Sequence, residues 1–222
     1  MLMAMDTSMR TAPVPGGNPS PPGCGVGLYS LKSWYADRLA PARRALVAAR
    51  VPPAAITAAG IFFGAGAGAA LALLSPGPVA CLAVAAILAA RLACANLDGG
   101  VARDTGRVTP FGSVVNEAGD RAAELAALLG CLAFAPAALV LVAALAATLP
   151  SWVALAGAAA DLGRLQGGPV GKTERCLLLA LTAAIGHAVM FLWIIAAGSA
   201  LTAVIRLARL AWLSRLDRAV GA

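Results

Sequence analysis

Apolar residues occur in long runs over most of the chain. Four runs reach the roughly 20 residues that a transmembrane helix needs. They cover residues 54–74, 78–97, 112–134 and 136–160. A further stretch from Cys176 to Leu213 would be about 57 Å long as one helix, against a hydrocarbon core of about 30 Å. A turn near Gly186 and His187 would divide this stretch, so the pattern predicts six transmembrane helices.

Two polar segments precede the first run. Residues 1–29 are rich in Pro, Gly and Ser and lack a continuous apolar core, which does not fit a secretory signal peptide and predicts a disordered cytoplasmic tail. From Ser30 to Arg50, apolar and aromatic side chains recur at helical spacing opposite Lys and Arg. This predicts an N-terminal amphipathic interfacial helix, bent at Pro41, and the tryptophan, tyrosine and cations favour it over an ordinary solvated helix.

Composition supports a membrane protein. Hydrophobic residues make up 60% of the chain and the mean hydropathy is +0.84, whereas soluble domains average about 45–50% apolar residues. The five cysteines are scattered and fit neither a disulfide framework nor a metal site. We therefore expect an all-α integral membrane protein, with a membrane domain at 30–213 and a cytoplasmic C-terminal tail at 214–222.

The charges predict how the chain is oriented. The formal net charge is +7, yet residues 75–77 and the turns at Pro136 and Gly186 carry no charged side chain. The cations lie in the N-terminal segments, the 98–111 and 161–175 loops, the C-terminal segment and the adjoining helix ends. This distribution predicts a multi-pass protein of the inner membrane with both termini cytoplasmic. Anionic lipid and a phosphate-bearing substrate explain the basic balance, so no nucleic acid partner is expected.

Ionisable residues concentrate where the second and third predicted spans meet. Each costs about 2.5–3.5 kcal/mol inside a span, so a group of them requires a functional or pairing explanation. The group comprises Asp98, Glu117, Asp120, Arg121 and Glu124. Asn116, Asp120 and Glu124 are four residues apart and share one helix face. Arg91, two turns before Asp98, is expected to pair with Glu124 or another buried acid.

The same segment has the composition of a metal and phosphate site. Oxygen ligands of this kind suit a hard divalent cation, Mg²⁺ or Mn²⁺. The glycines at 99, 100 and 112 leave room for a substrate to approach the backbone. Arg103 and Arg107 can bind phosphate oxygens. The combination indicates phosphoryl chemistry on a lipid.

The spacing D-G-x2-A-R-x8-G-x3-N-x3-D, from Asp98 to Asp120, resembles the signature of CDP-alcohol phosphatidyltransferases, D-x2-D-G-x2-A-R-x8-G-x3-D-x3-D. The interfacial helix, six spans and cytoplasmic termini extend the resemblance over residues 30–213. Two signature aspartates are replaced, by Ala95 and Asn116.

The resemblance implies an enzyme in which an alcohol acceptor attacks the β-phosphorus of CDP-diacylglycerol, releasing CMP and forming a phospholipid. In that family the four signature aspartates hold divalent cations, and the last is also the proposed base. Asp98 would then be a metal ligand, Asn116 a weaker neutral ligand, and Asp120 both ligand and catalytic base. Either Asn96 or Glu117 replaces a missing carboxylate, or the site binds one metal instead of two.

The resemblance also implies substrate contacts. Gly99, Ala102 and Gly112 would border the nucleotide of the CDP-lipid, with Arg103 beside its phosphates. Further candidates for binding phosphate or the acceptor are Arg107, Lys172 and Arg175. For Lys172 and Arg175 a plain positive-inside anchor is an equal alternative. Membrane lipid and a second copy of the chain, as a homodimer, are the other implied partners.

The sequence leaves two other functions open. Because of Ala95 and Asn116, the chain could be a catalytically lapsed family member that binds nucleotide-lipid without turnover. A small transporter or scaffold with ion-binding acids is disfavoured, since transporters usually show two related halves and no internal repeat is visible.

Overall fold

The computed structural model describes Tyr35 and residues 37–220, so the predicted tail at 1–29 and most of residues 30–36 lie outside the described residues. The described part is helical and contains no strand. Its helices are α1 (Ala40–Ala48), α2 (Pro53–Leu73), α3 (Pro78–Asp104), α4 (Pro110–Leu129), a 3₁₀ turn (Gly130–Ala133), α5 (Ala137–Ala159), α6 (Lys172–Ile185) and α7 (Ala188–Val220).

Local sequence explains where the helices begin and end. Pro53, Pro78 and Pro110 stand at the starts of α2, α3 and α4, where the missing proline N–H is not needed. Gly186 ends α6 in the left-handed conformation, with φ of 74°, which glycine adopts without a steric cost. The predicted division of the last apolar stretch near Gly186 and His187 is therefore confirmed.

Four of the helices, namely α2, α3, α5 and α7 up to Leu216, are long and apolar enough to cross a membrane. The other two predicted spans correspond to α4 and α6, which do not meet both conditions. α4 carries the ionisable group at Glu117–Glu124, and α6, with 14 residues, is only about 21 Å long. The observations thus support an all-helical membrane protein.

Close backbone contact joins α2 to its neighbours. α2 packs most extensively against α3 and α4, and α5 against α7. Where α2 meets α4, Gly64 faces the backbone of Ala123 and Gly68 faces that of Ala126. Small residues allow this approach in membrane helices. The contact fixes α4 beside the C-terminal half of α3, where the ionisable residues of both helices meet.

Candidate functional site

A cavity of 610 Å³ lies between the C-terminal half of α3, the N-terminal half of α4 and the start of α6. Residues of α5, α7 and the segment at 164–166 complete its wall. Its charged lining consists of Arg103, Glu117, Asp120, Arg121, Arg164, Lys172 and Arg206. Five cations against two carboxylates favour an anionic occupant.

Asp98 and Asp120 come together from neighbouring helices. Both line a void of 10 Å³, about the size of one water molecule, and Asp120 lines the large cavity as well. Asp98 is 3% exposed. Its two oxygens accept hydrogen bonds from the Thr57 hydroxyl at 3.0 Å and from the Gly99 N–H at 2.6 Å. These bonds fix the orientation of the Asp98 carboxylate.

Lys172 forms an ion pair with Asp120. Its Nζ lies 2.6 Å from Asp120 Oδ2. Lys172 is the first residue of α6, and its side chain also lines the cavity. The ammonium group thus stands between a signature carboxylate and the space that a substrate would fill.

Asn116 and Glu117 have different surroundings. The Oδ1 atom of Asn116 is buried and has no hydrogen-bond partner. Glu117 forms an ion pair with Arg164, with Nη2 to Oε2 at 2.5 Å, and its other oxygen lies 3.7 Å from Arg121 Nε. Glu117 therefore interacts with two arginines.

The residues present fit one hard cation. No three His, Cys, Asp or Glu side chains in the described part of the chain are grouped so as to hold a metal. Two carboxylates, Asp98 and Asp120, share the small void, however, and Asn116, one turn before Asp120, lines the large cavity with it and has an Oδ1 without a partner. Carboxylate and amide oxygens are the ligands that Mg²⁺ and Mn²⁺ prefer.

Glu124 lies outside this group and belongs to an ion-pair network. It is 5% exposed and accepts hydrogen bonds from Arg175 Nε at 2.5 Å and from Arg121 Nη1 at 2.7 Å. The expectation that Arg91 pairs with a buried acid is wrong. Arg91 donates instead to the backbone oxygen of Asp120 at 2.9 Å, because the two arginines from α4 and α6 already occupy Glu124.

The structure brings only part of the predicted site together. The large cavity is lined by Gly99, Arg103, Asn116, Glu117, Asp120 and Lys172, but not by Ala102, Arg107, Gly112 or Arg175. Gly112 is exposed and its N–H donates to the Thr109 hydroxyl, closing the first turn of α4. Arg175 is 4% exposed and held by Glu124. Arg107 is exposed.

Several wall residues were not predicted from the sequence, among them Arg206, Arg164 and Tyr35. Arg206 donates to the carbonyls of Gly167 and Pro150, at 3.0 and 2.6 Å, and so ties α7 to α5 and the intervening loop. A cation inside an apolar stretch was the signal that could have identified it. Arg164 is one of the cations of the 161–175 loop, which indicated only the orientation of the chain. Tyr35, whose hydroxyl donates to the Ala89 carbonyl at 3.1 Å, gave no comparable signal.

The sequence and the fold of the chain are similar to those of known proteins. A family model described as CDP-alcohol phosphatidyltransferase matches residues 50–214. Two crystal structures of Mycobacterium tuberculosis phosphatidylinositol phosphate synthase share the fold. The complex with manganese and citrate has a TM-score of 0.61 and 23% identity over 77% of this chain and 87% of that chain. The structure with CDP-DAG bound has the same score, identity and coverage of this chain, and 92% of that chain is covered. No curated protein sequence matches the chain.

Proposed function

The chain belongs to the CDP-alcohol phosphatidyltransferase family, and on this basis we propose that it transfers a phosphatidyl group from CDP-diacylglycerol to an alcohol, releasing CMP. Its class is that of membrane transferases of phospholipid biosynthesis. The observation that carries the proposal is the cavity in which Asp120 and Asn116 of the signature face Lys172 and several arginines. A site with metal-binding oxygens and an excess of cations suits a diphosphate substrate.

Asp98, Asp120 and Asn116 would hold the divalent cation, Mg²⁺ or Mn²⁺. When bound, the ion neutralises charge on the diphosphate. Thr57 and the Gly99 N–H keep Asp98 in position. The related synthase solved with manganese supports a metal of this kind. Glu117, a candidate replacement ligand, is left out because it does not line the void shared by Asp98 and Asp120 and its Oε2 is held by Arg164.

In the proposed transfer, Asp120 acts as the general base. The acceptor oxygen bonds to the β-phosphorus, the bond between that phosphorus and the bridging oxygen breaks, and CMP leaves with the bridging oxygen. The acceptor proton passes to the Asp120 carboxylate, which lines the cavity. A positioned carboxylate contributes typically 10²–10⁴-fold as a general base.

The donor would lie along α3. Gly99 and Arg103 line the cavity one turn apart, so the glycine admits the substrate and the arginine meets its phosphates. The related synthase with CDP-DAG bound supports this donor. Lys172, beside Asp120, can also meet the diphosphate, and Arg164 of the cavity wall remains for the acceptor. Arg175 is assigned to the ion-pair network, because Glu124 holds it.

The proposed topology has six crossings, with α4 and α6 crossing beside the four apolar spans, and α1 at the bilayer surface. Both termini and the cavity would face the cytoplasm across the inner membrane. The support is the charge distribution, since the 98–111 and 161–175 loops carry cations and the opposite turns carry none. The family resemblance also favours a homodimer.

The experiment is CMP release by purified protein from CDP-diacylglycerol, with Mg²⁺ or Mn²⁺ and a panel of alcohols and alcohol phosphates. Asp120→Asn should reduce release at least a hundredfold, by loss of the base. Asp161→Asn is the matched control, because Asp161 is exposed and does not line the cavity. It should leave release unchanged.

The second candidate function is a lapsed enzyme that binds nucleotide-lipid without turnover. Ala95 and Asn116, in place of two signature aspartates, favour it. Binding of CDP-diacylglycerol without CMP release, for any acceptor and either metal, would establish this function instead.

A further inference from the structure

The ion pair between Lys172 and Asp120 bears on how many metal ions the site can hold. We propose that the site binds a single divalent cation and that the Lys172 ammonium supplies the positive charge that a second ion would otherwise bring. This proposal rests on the proposed function, since it concerns the same site.

The supply of carboxylates limits the metal count. Asp98 and Asp120 are the two carboxylates that line the small void, and Ala95, which lines the same void, offers no ligand atom. Glu117 does not line that void; its Oε2 is held by Arg164 at 2.5 Å, and its Oε1 lies 3.7 Å from Arg121 Nε without a hydrogen bond. Two carboxylates balance the charge of one divalent cation.

Lys172 adds one positive charge beside these carboxylates. With its Nζ 2.6 Å from Asp120 Oδ2, the ammonium occupies one coordination direction of the shared ligand. A second divalent cation at Asp120 would face both Lys172 and the first ion, and like charges a few ångströms apart repel by several kcal/mol even at an effective dielectric constant of about 20. One cation beside Lys172 avoids this repulsion.

The fold holds the lysine where a substrate would meet it. Lys172 begins α6, and Arg175, one turn later, anchors that helix to Glu124 of α4 at 2.5 Å. The Lys172 side chain is 25% exposed and lines the large cavity. With Asp98 and Asp120 balancing the divalent cation, the Lys172 charge is left to act on a diphosphate in the cavity.

The test counts Mn²⁺ ions by calorimetry and electron paramagnetic resonance on the full-length protein in detergent, without turnover. We expect one Mn²⁺ per wild-type chain. Lys172→Gln should bind that ion roughly tenfold more tightly, since a repelling charge beside its ligand is removed. The same variant should bind CDP-diacylglycerol more weakly and release CMP more slowly. If Lys172 had only a structural role, Lys172→Gln would instead bind both Mn²⁺ and CDP-diacylglycerol more weakly.

Arg103→Gln is the matched control for metal binding, because it removes a charge from the same cavity wall without contacting Asp120. Its Mn²⁺ affinity should change by less than that of Lys172→Gln. The triple variant Ala95→Asp, Asn116→Asp, Lys172→Gln should bind two Mn²⁺ with coupled spectra. Two ions in the wild type, or weaker Mn²⁺ binding by Lys172→Gln, would overturn the proposal. Failure of the proposed function would instead appear as absent CMP release with the metal count unaffected.

Discussion

Glu124 shows how single residues in this protein offset the cost of burying a charge. A carboxylate buried without a partner costs several kcal/mol. Both of its oxygens accept from arginines, Arg175 of α6 and Arg121 of its own helix, at 2.5 and 2.7 Å. The Glu124–Arg175 ion pair also joins α4 to α6. Its contribution is thus to the position of α6 and of Lys172 at its start.

Arg175→Met should destabilise the protein, by less than the about 3–5 kcal/mol that leaving a buried charge alone costs, because Glu124 keeps its hydrogen bond from Arg121 at 2.7 Å. Adding Glu124→Gln to this variant should recover most of the loss, because the carboxylate charge is then removed as well. Unfolding in detergent, followed by circular dichroism, measures both. A double variant no more stable than Arg175→Met would show that the pair is not what stabilises the contact.

Thr57→Val tests the support of Asp98. The Thr57 hydroxyl donates to Asp98 Oδ2 at 3.0 Å, and loss of such an outer partner typically weakens metal binding or activity by about 10–100-fold. Mn²⁺ affinity and CMP release should both fall in this range. Thr182→Val is the control, since the Thr182 hydroxyl bonds only to Leu178 of its own helix. Equal effects of the two variants would contradict a specific role for Thr57.

Sequence spacing could identify the ligands but not what surrounds them. Asp98, Asn116 and Asp120 fall on a fixed pattern within 23 residues, so the signature predicts them directly. Thr57 and Lys172 reach the same carboxylates from 41 and 52 residues away, and no local pattern reports such a contact. The mispredicted Arg91 pairing has the same cause, because the partners of Glu124 include one from a distant helix.

At the scale of elements, α2 positions the site through its glycine face. A side chain at Gly64 would overlap the backbone of Ala123, and one at Gly68 the backbone of Ala126. Because backbone atoms cannot move aside as side chains do, α4 would have to shift. Asp120, one turn before Ala123 on α4, would then shift relative to Asp98.

Gly64→Val should therefore lower stability by about 1–3 kcal/mol or more, the range for overpacked sites, and should reduce CMP release through misplacement of α4. Gly66→Ala is the matched control on the same helix. A Cβ at Gly66 would lie 3.8 Å from Ile87, an ordinary contact, and alanine favours a helix by up to about 1 kcal/mol over glycine. Thermal unfolding compares the two. If Gly64→Val unfolds at the wild-type temperature, the close α2–α4 contact is not required.

The sequence predicts a helix boundary correctly where a proline or a glycine lies at that boundary. Pro78 and Gly186 do so, and the predicted boundaries lie there. The end of the third predicted span was placed at residue 134, whereas α4 ends at Leu129 and a 3₁₀ turn follows. All of these residues are apolar, so hydropathy alone could not locate that end. α7 likewise continues to Val220, past the predicted domain boundary at 213.

For the whole molecule, the charge distribution and the position of the cavity both favour the proposed orientation. The cavity is bounded by the ends of α3 and α5 and the starts of α4 and α6, so it opens near the loops that carry the cations. A membrane with anionic lipid on the cytoplasmic side attracts such loops. In the proposed orientation the cations would serve both the topology and an anionic substrate, so the sequence alone could not separate an anchoring role from a binding role.

This orientation predicts which engineered cysteines an impermeant maleimide can reach. On a background with the five native cysteines replaced by alanine, Ser75→Cys should be labelled in intact cells, because the exposed α2–α3 turn would face outward. Val108→Cys, in the exposed α3–α4 loop on the side of the cavity, should be labelled only after the membrane is opened. Labelling of Val108→Cys in intact cells, with Ser75→Cys protected, would place the cavity outside. CDP-diacylglycerol presented from the cytoplasm could not then reach Asp120, so the same result would contradict the proposed reaction at the cytoplasmic face of the membrane.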